Sequence, residues 1–248
     1  MSAKGTRGLA VVALLAAAAL AADLNLKGTS AEGRRLFHSP AVGTNGLSCA
    51  HCHADFDESR RDDGLIRSGH SLWNAALRET WWGQNPREPG AYANIAAAAV
   101  VCVEHYMQNP NKLTAQEMLD LQAYLTAITV RPVRLALALA PGADATGEYA
   151  GFEGGNPFQG KEAFYAACHV CHPNGNAGIA PAIPRHRLPA FYAAKVREGD
   201  GLGAVLAGVD PNAYDPSGGQ HMPFFGVDRL SDDQLRDIIA YLTVPPAP

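Results

Sequence analysis

The stretch Cys49-Ala50-His51-Cys52-His53 decides the fold, and it recurs as Cys168-His169-Val170-Cys171-His172. In both copies two cysteines lie three residues apart and a histidine follows directly. Two thiols on one helical turn can each form a thioether to a haem vinyl group, and the histidine then lies beneath the iron as its fifth ligand. The sequence therefore predicts two haem c groups, held by Cys49, Cys52 and His53 and by Cys168, Cys171 and His172.

Paired cysteines have other uses, and both main alternatives fit less well. A thioredoxin-like Cys-x-x-Cys belongs in a βαβ pattern, which this sequence lacks. A zinc site requires matched Cys/His pairs. The complete five-residue string and its duplication favour haem attachment over both.

Length, charge and cysteine count narrow the class of protein. The 248 residues allow one large domain or two small ones. A net charge of −4 argues against a nucleic-acid partner. Four of the five cysteines belong to the two motifs, so Cys102 is left without a partner for a structural disulfide.

The N-terminus has the features of an export signal over residues 1–21. Lys4 and Arg7 precede an apolar run from Leu9 to Leu20, and Ala19-Leu20-Ala21 has the small-x-small pattern of a cleavage site. Cleavage near Ala22 predicts a periplasmic protein, in keeping with haem attachment outside the bacterial inner membrane. An uncleaved anchor is the alternative, although the run is short for a spanning helix.

Local signals place several helices. Residues 92–107 are apolar and alanine-rich, which indicates a buried helix. Thr114 with Glu117 forms a capping box that starts a helix running to Leu125. Ser30 and Ser231 are expected to cap two more helices, and residues 71–78 have the pattern of an amphipathic helix.

The two halves of the chain repeat one plan. In each, a helix leads into Cys-x-x-Cys-His, a methionine follows, and a final helix ends in Ala-Tyr-Leu, at residues 123–125 and 240–242. This predicts an all-α protein with two tandem cytochrome c-like helical domains, at residues 22–130 and 158–248. Residues 131–157, which contain several prolines and glycines, form the expected linker, and its apolar part at 135–140 is expected to lie against one domain.

The second half resembles a class I cytochrome c over most of its length. Cys168, Cys171 and His172 match the haem-binding positions, Met222-Pro223 matches the distal methionine loop, and the 231–242 segment matches the C-terminal helix. The first half follows this plan more loosely and has no Met-Pro. The whole chain looks like a dihaem c-type cytochrome.

The axial ligands determine the chemistry. Position in the repeat makes His53 and Met107 the expected ligands of the first iron, and His172 and Met222 those of the second. Cys102 and His105 lie in the same segment as Met107 and are alternative ligands. Each proximal histidine is expected to donate its second ring N–H to a backbone carbonyl. Structural or surface roles are expected for the remaining histidines singled out, His51, His70, His105 and His169.

Six-coordinate His/Met iron has no open position for a substrate, so the leading hypothesis is an electron carrier between a redox donor and a redox acceptor. A Cys102-ligated first haem would instead resemble the dihaem thiosulfate dehydrogenase and SoxA types. A dihaem peroxidase is a third hypothesis, and a cytochrome subunit of a membrane-associated respiratory, dehydrogenase or oxidase complex is a fourth. Enzymatic activity is the minority expectation.

Overall fold

The computed structural model describes residues 27–78, 94–131, 137–172, 182–184, 186–215, 219 and 221–243. Regular secondary structure in these ranges is helical throughout and contains no β-strand, so the predicted all-α fold class is confirmed there. The predicted signal peptide at 1–21 lies outside the described residues. Among the helices that are described, none has the length and apolar character needed to cross a membrane.

In the part of the chain that the structure describes, four α-helices form the first half and four form the second. The first set is α1 (Ser30–His38), α2 (Cys49–Cys52), α3 (Ile95–His105) and α4 (Ala115–Ala127), with a 3₁₀ turn at Pro40–Val42. The second set is α5 (Pro157–Ala167), α6 (Pro189–Glu198), α7 (Leu202–Leu206) and α8 (Asp232–Thr243). The capping box of α4 is confirmed, since the Glu117 amide donates to Thr114 Oγ1 at 3.2 Å and the Thr114 amide to Glu117 Oε2 at 2.8 Å.

The same close helix crossing occurs in both halves. Helix α1 meets α4 at Gly33, where an added Cβ would lie 1.9 Å from a carbonyl oxygen of α4. Helix α5 meets α8 at Gly160, where the equivalent distance is 1.8 Å. Only glycine permits an approach this close, because any side chain would force the two backbones apart.

An aspartate of the partner helix reinforces each crossing. The backbone amide of Thr29, the N-cap of α1, donates to Asp120 Oδ1 at 2.7 Å. The amide of Asn156, the N-cap of α5, donates to Asp237 Oδ1 at 2.6 Å. The N-cap of α1 is thus Thr29, one residue before the Ser30 that the sequence predicts. The internal repeat seen in the sequence thus includes this hydrogen bond between helices, in addition to the pattern of apolar residues.

Each half has its own apolar core. The first is centred on Phe37, Val103 and Leu125, which are almost fully buried. The second is centred on Leu230, Leu235 and Ile238, and Tyr149 and Phe152 from the predicted linker also pack there. The boundaries at 22–130, 131–157 and 158–248 remain predictions.

The prediction of a helix at residues 71–78 is wrong, because this segment consists of turns. Asn74 has a φ of 60°, which interrupts a helix, and its Oδ1 accepts bonds from the amides of Val130 and Arg131 at 2.8 and 2.9 Å. Ser71 Oγ donates to the Phe56 carbonyl at 2.6 Å. These long-range bonds to other parts of the chain outweigh the local helical pattern.

Candidate functional site

The first motif forms one helical turn, α2, that brings both cysteines onto one face. The turn is closed at its start by His51, whose Nδ1 accepts the Ser48 amide at 2.9 Å. It ends at His53, whose amide donates to the Cys49 carbonyl at 2.9 Å. His51 therefore has the structural role expected of it, and His53 leaves the turn next to the two thiols.

The ring of His53 is fixed from one side. Its Nδ1 lies 2.8 Å from the backbone oxygen of His70, so this nitrogen carries the proton and Nε2 keeps a lone pair. Burial lowers the pKa of the ring, which favours the neutral imidazole that binds metals. The expected bond from His53 to a backbone carbonyl is confirmed, and His70 supplies that carbonyl.

Gly69 closes the space behind the His53 ring. A Cβ built on Gly69 would lie 2.2 Å from Cε1 and 2.5 Å from Nδ1 of His53. The Gly69 amide also donates to the Cys52 carbonyl at 3.0 Å. The glycine thus ties the motif to the loop that orients its histidine, a role that no sequence motif indicates.

A cavity of about 410 Å³ lies against this motif. Cys49, Cys52 and His53 line it, and so do Cys102 and Met107. Most of the remaining wall is apolar and belongs to the first core, including Phe37, Leu47, Leu72, Ile95, Leu121 and Leu125. The size is in the range of cofactor sites, and apolar walls with few polar groups are typical of them.

Both the predicted linker and the second half contribute to this cavity. Leu137, Leu139 and Ala140 form part of its wall, as expected for the apolar part of the linker. From the second half come Leu202 and Phe224, among others. The first site is therefore completed by chain that lies more than 80 residues beyond its own motif.

The residues present fit a covalently held haem. Two thiols lie on one face, and His53 Nε2 keeps its lone pair for a metal. Burial raises the pKa of both Cys49 and Cys52, that of Cys49 to about 12 with a further contribution from the nearby Cys102, so both thiols lie in an apolar environment. This combination of a paired thiol, an oriented imidazole and an apolar cavity is what covalent haem attachment requires.

The structure places the three candidate distal ligands differently. Cys102 and Met107 line the cavity, and the Met107 amide donates to the Cys102 carbonyl at 3.0 Å. His105 does not line it, because its Nε2 lies 2.9 Å from Asp200 Oδ2, with both side chains buried. Cys102 and Met107 therefore remain as distal candidates, and His105 serves another purpose.

The second motif is a turn directly after α5, and it repeats the backbone bond that closes the first motif. The His172 amide donates to the Cys168 carbonyl at 2.8 Å, which matches the bond from His53 to Cys49. His169 Nδ1 lies 3.1 Å from the His172 carbonyl, and the His169 ring packs on Tyr165. Cys168 and Met222 both pack against the second core, so the expected distal methionine lies in the same cluster as the motif.

The two motifs meet where the halves contact each other. Cys171 packs against the core of the first half. Burial raises the pKa of Cys171 to about 11, and the nearby Cys52 thiol raises it further. The attachment points of the two predicted haems are thus neighbours.

Polar contacts join the halves around the motifs. Arg229 makes a two-pronged ion pair with Glu58, with N–O distances of 2.9 and 2.8 Å, and His70 Nε2 lies 2.6 Å from Asp228 Oδ2. The Ile66 amide donates to the Ala166 carbonyl at 3.0 Å, one residue before α5 ends. The Ile66 bond links the loop after the first motif to the helix that leads into the second, and the other two contacts link this loop to the segment before α8.

The second half of the chain has a counterpart among known protein families. Residues 155–242 match the family model described as cytochrome c oxidase, cbb3-type, subunit III. A thiosulfate dehydrogenase (TsdBA) from Marichromatium purpuratum, in its as-isolated form, aligns at 15% identity and a TM-score of 0.37. The alignment covers 86% of this chain and 45% of that one. No curated protein matches the chain. Over residues 155–242 the chain is therefore similar to a c-type cytochrome domain, which binds haem c covalently and transfers electrons.

Proposed function

We propose that this chain is a periplasmic dihaem cytochrome c that passes electrons between two redox partners through both haems. The observation that carries the proposal is the meeting of the two motifs, with Cys171 packed against the first core and Cys52 beside it. Electron transfer between cofactors slows steeply with distance. Neighbouring attachment points therefore favour a direct relay from one haem to the other.

The chain supplies the ligands and their surroundings. In this proposal His53 and Met107 would hold the first haem iron, and His172 and Met222 would hold the second. Bound haem supplies a one-electron iron couple, which His/Met ligation moves to higher potential. The His70 carbonyl holds the His53 ring in place, and the apolar wall excludes water, so little rearrangement accompanies the change of charge.

Location and partners follow from the same proposal. The charged start, apolar run and small-x-small site of residues 1–21 support export and cleavage near Ala22. A redox protein on each side, one donor and one acceptor, is the expected set of partners. One of them can belong to a membrane-associated respiratory or dehydrogenase complex.

Haem stoichiometry tests the proposal directly. The full chain is expressed with its own N-terminus in a bacterium that matures c-type cytochromes, and its mass and pyridine haemochrome spectrum are measured. We expect two haems per chain. Replacing both motif cysteines by alanine in either half, at 49 and 52 or at 168 and 171, should remove one haem each. A single haem in the unaltered protein would refute the relay.

A second candidate function rests on Cys102. This thiol lines the same cavity as His53, and its burial raises its pKa to about 12, with Cys52 adding to the effect. The raised pKa favours the protonated thiol. A ferric iron bound to Cys102 would favour the thiolate instead, because a coordinated thiol is deprotonated outright. With Cys102 as the distal ligand, the chain would be an enzyme of the thiosulfate dehydrogenase type.

Near-infrared magnetic circular dichroism of the oxidised protein distinguishes the two candidates. With Met107 as ligand, the unaltered protein shows two methionine–iron signatures and Met107→Ala loses one. With Cys102 as ligand, one methionine and one thiolate signature are present, and Cys102→Ser abolishes the thiolate. Catalytic thiosulfate oxidation that is lost in Cys102→Ser, and not in Met107→Ala, would refute the electron-carrier function and support the enzymatic one.

A further inference from the structure

Asp200 is a buried carboxylate in a turn of the second half. It follows α6 and lies between Gly199 and Gly201, which have φ angles of 63° and 100°. A Cβ on Gly199 would lie 2.5 Å from the Phe224 amide, so the turn is packed closely against neighbouring chain. The Asp200 side chain is fully buried. A charged group placed so deep in a turn requires specific partners.

The side-chain partner of Asp200 is His105, at the end of α3 in the first half. Asp200 Oδ2 lies 2.9 Å from His105 Nε2, and Oδ1 accepts the Leu202 amide at 3.2 Å. The His105 ring in turn packs edge-on against the Tyr106 ring, with centroids 4.8 Å apart. Asp200 therefore holds His105 across the boundary between the halves, and the His105 ring packs on the next residue, Tyr106.

These two residues lead directly to the distal wall of the first cavity. His105 is the last residue of α3 and Tyr106 is its C-cap, while Tyr106, Met107 and Cys102 all line the cavity. From the first half, Asn45 Nδ2 donates to the Tyr106 carbonyl at 2.8 Å. Restraint of the His105 side chain comes from the second half.

His105 also touches the segment that carries the other distal methionine. Its ring centroid lies 5.0 Å from that of His221, and His221 immediately precedes Met222. The His105 ring further contacts Tyr214, at 6.0 Å between centroids. The ring held by Asp200 is thus packed between the distal segments of both haem sites.

We propose that Asp200 is a positioning residue for the first haem: by holding His105, it sets the place of the distal ligand on the Cys102–Met107 segment. The ligation and reduction potential of the first haem then depend on a side chain of the second half. The inference deepens the proposed function and rests on it. It holds whether Met107 or Cys102 is the distal ligand, because both lie on the restrained segment.

The test uses the full-length holoprotein and three variants. Asp200→Ala removes the carboxylate, Asp200→Asn keeps its shape and one acceptor oxygen, and His105→Phe keeps the ring contacts while removing the N–H. Each variant is examined by near-infrared magnetic circular dichroism and by a spectroelectrochemical titration. The variant without Cys49 and Cys52, which is expected to carry the second haem alone, assigns each signal.

We expect Asp200→Ala to shift the ligand signature and the reduction potential of the first haem, with Asp200→Asn giving a smaller shift in the same direction. His105→Phe should shift the ligand signature and the reduction potential in the same way, and it tests the positioning role if Asp200→Ala does not fold. Glu58→Gln is the matched control, since it weakens a contact between the halves away from the distal segment.

The possible results distinguish the positioning role of Asp200 from the proposed electron relay. Two haems with an unchanged first-haem signature in Asp200→Ala and His105→Phe would overturn the positioning role and leave the relay intact. An equal shift in Glu58→Gln would also overturn it, because a loosened contact between the halves would then be the cause. Absence of a first haem in the unaltered protein would refute both.

Discussion

Gly69→Ala should disturb the first haem by pushing its proximal histidine. Ordinary contact begins at 3.4 Å, and the new Cβ would lie 2.2 Å from His53 Cε1, so the ring must retreat by about 1.2 Å. That movement breaks the 2.8 Å hydrogen bond from His53 Nδ1 to the His70 carbonyl. Losing a buried bond of this kind costs about 1–3 kcal/mol, and crowding in a packed site adds a similar amount.

We therefore expect Gly69→Ala to lower the free energy of unfolding of the holoprotein by about 3 kcal/mol, which lowers Tm by roughly 6–12 °C for a chain of this size. The reduction potential of the first haem should rise, because an imidazole without its carbonyl partner is less basic and stabilises ferric iron less. Thermal unfolding followed at the Soret band and a spectroelectrochemical titration measure the two effects.

Gly64→Ala is the matched control in the same loop. Nothing lies within 4 Å of the Cβ that it adds, and its φ of 76° makes the substitution cost only backbone strain, about 1 kcal/mol. The haem spectra of this variant should be unchanged. If Gly69→Ala and Gly64→Ala have the same Tm and the same first-haem potential, the expected displacement of His53 is wrong.

Three further predictions concern stability, pH and ligation. Gly33→Ala and Gly160→Ala should each lower the free energy of unfolding by about 3 kcal/mol in denaturant titrations, because a methyl group forces the crossed helices apart; unchanged midpoints would contradict the close crossings. Arg67 makes a two-pronged ion pair with the Asp63 carboxylate, which holds the pKa of that carboxyl below its usual value. The contribution of this ion pair to the free energy of unfolding is therefore present above about pH 4 and is lost as pH falls through the folded-state pKa. Asp63→Asn should accordingly be less stable at pH 7 by about 1 kcal/mol and equal to the unaltered protein near pH 2, with a constant difference counting against the bond. Met222→Ala should remove one methionine–iron signature and lower the potential of the second haem, and retention of that signature would exclude Met222 as a ligand.

Several features follow from local sequence alone. The helix caps at Thr114 and Ser231 were predictable because a hydroxyl and a carboxylate or amide three residues apart close a helix without help from elsewhere; Ser231 Oγ accepts the Gln234 amide at 3.2 Å. The motif turns were predictable for the same reason, since each His-to-Cys backbone bond spans four residues. The bond from His53 to a carbonyl was expected as a type of contact, but the loop that supplies the carbonyl was not.

Other features depend on residues far apart in the chain. The turns at 71–78 replace an expected helix because Asn74 bonds to backbone more than 50 residues away. Asp200 carries no signal in the sequence, since a Gly-Asp-Gly turn ordinarily lies in solvent, and only its contact with His105 marks it. The same holds for the Gly69 contact with His53.

The sequence by itself determined the helical class and the repeated plan, and it predicts the residues that attach two haems, because periodicity, capping and Cys-x-x-Cys-His are local patterns. Only the tertiary structure decided that Cys52 and Cys171 are neighbours and that Cys102 and Met107 share one cavity while His105 bonds elsewhere. The physical reason is that these placements result from packing two apolar cores against each other. Buried contacts between distant segments set that packing, and no short stretch of sequence encodes it.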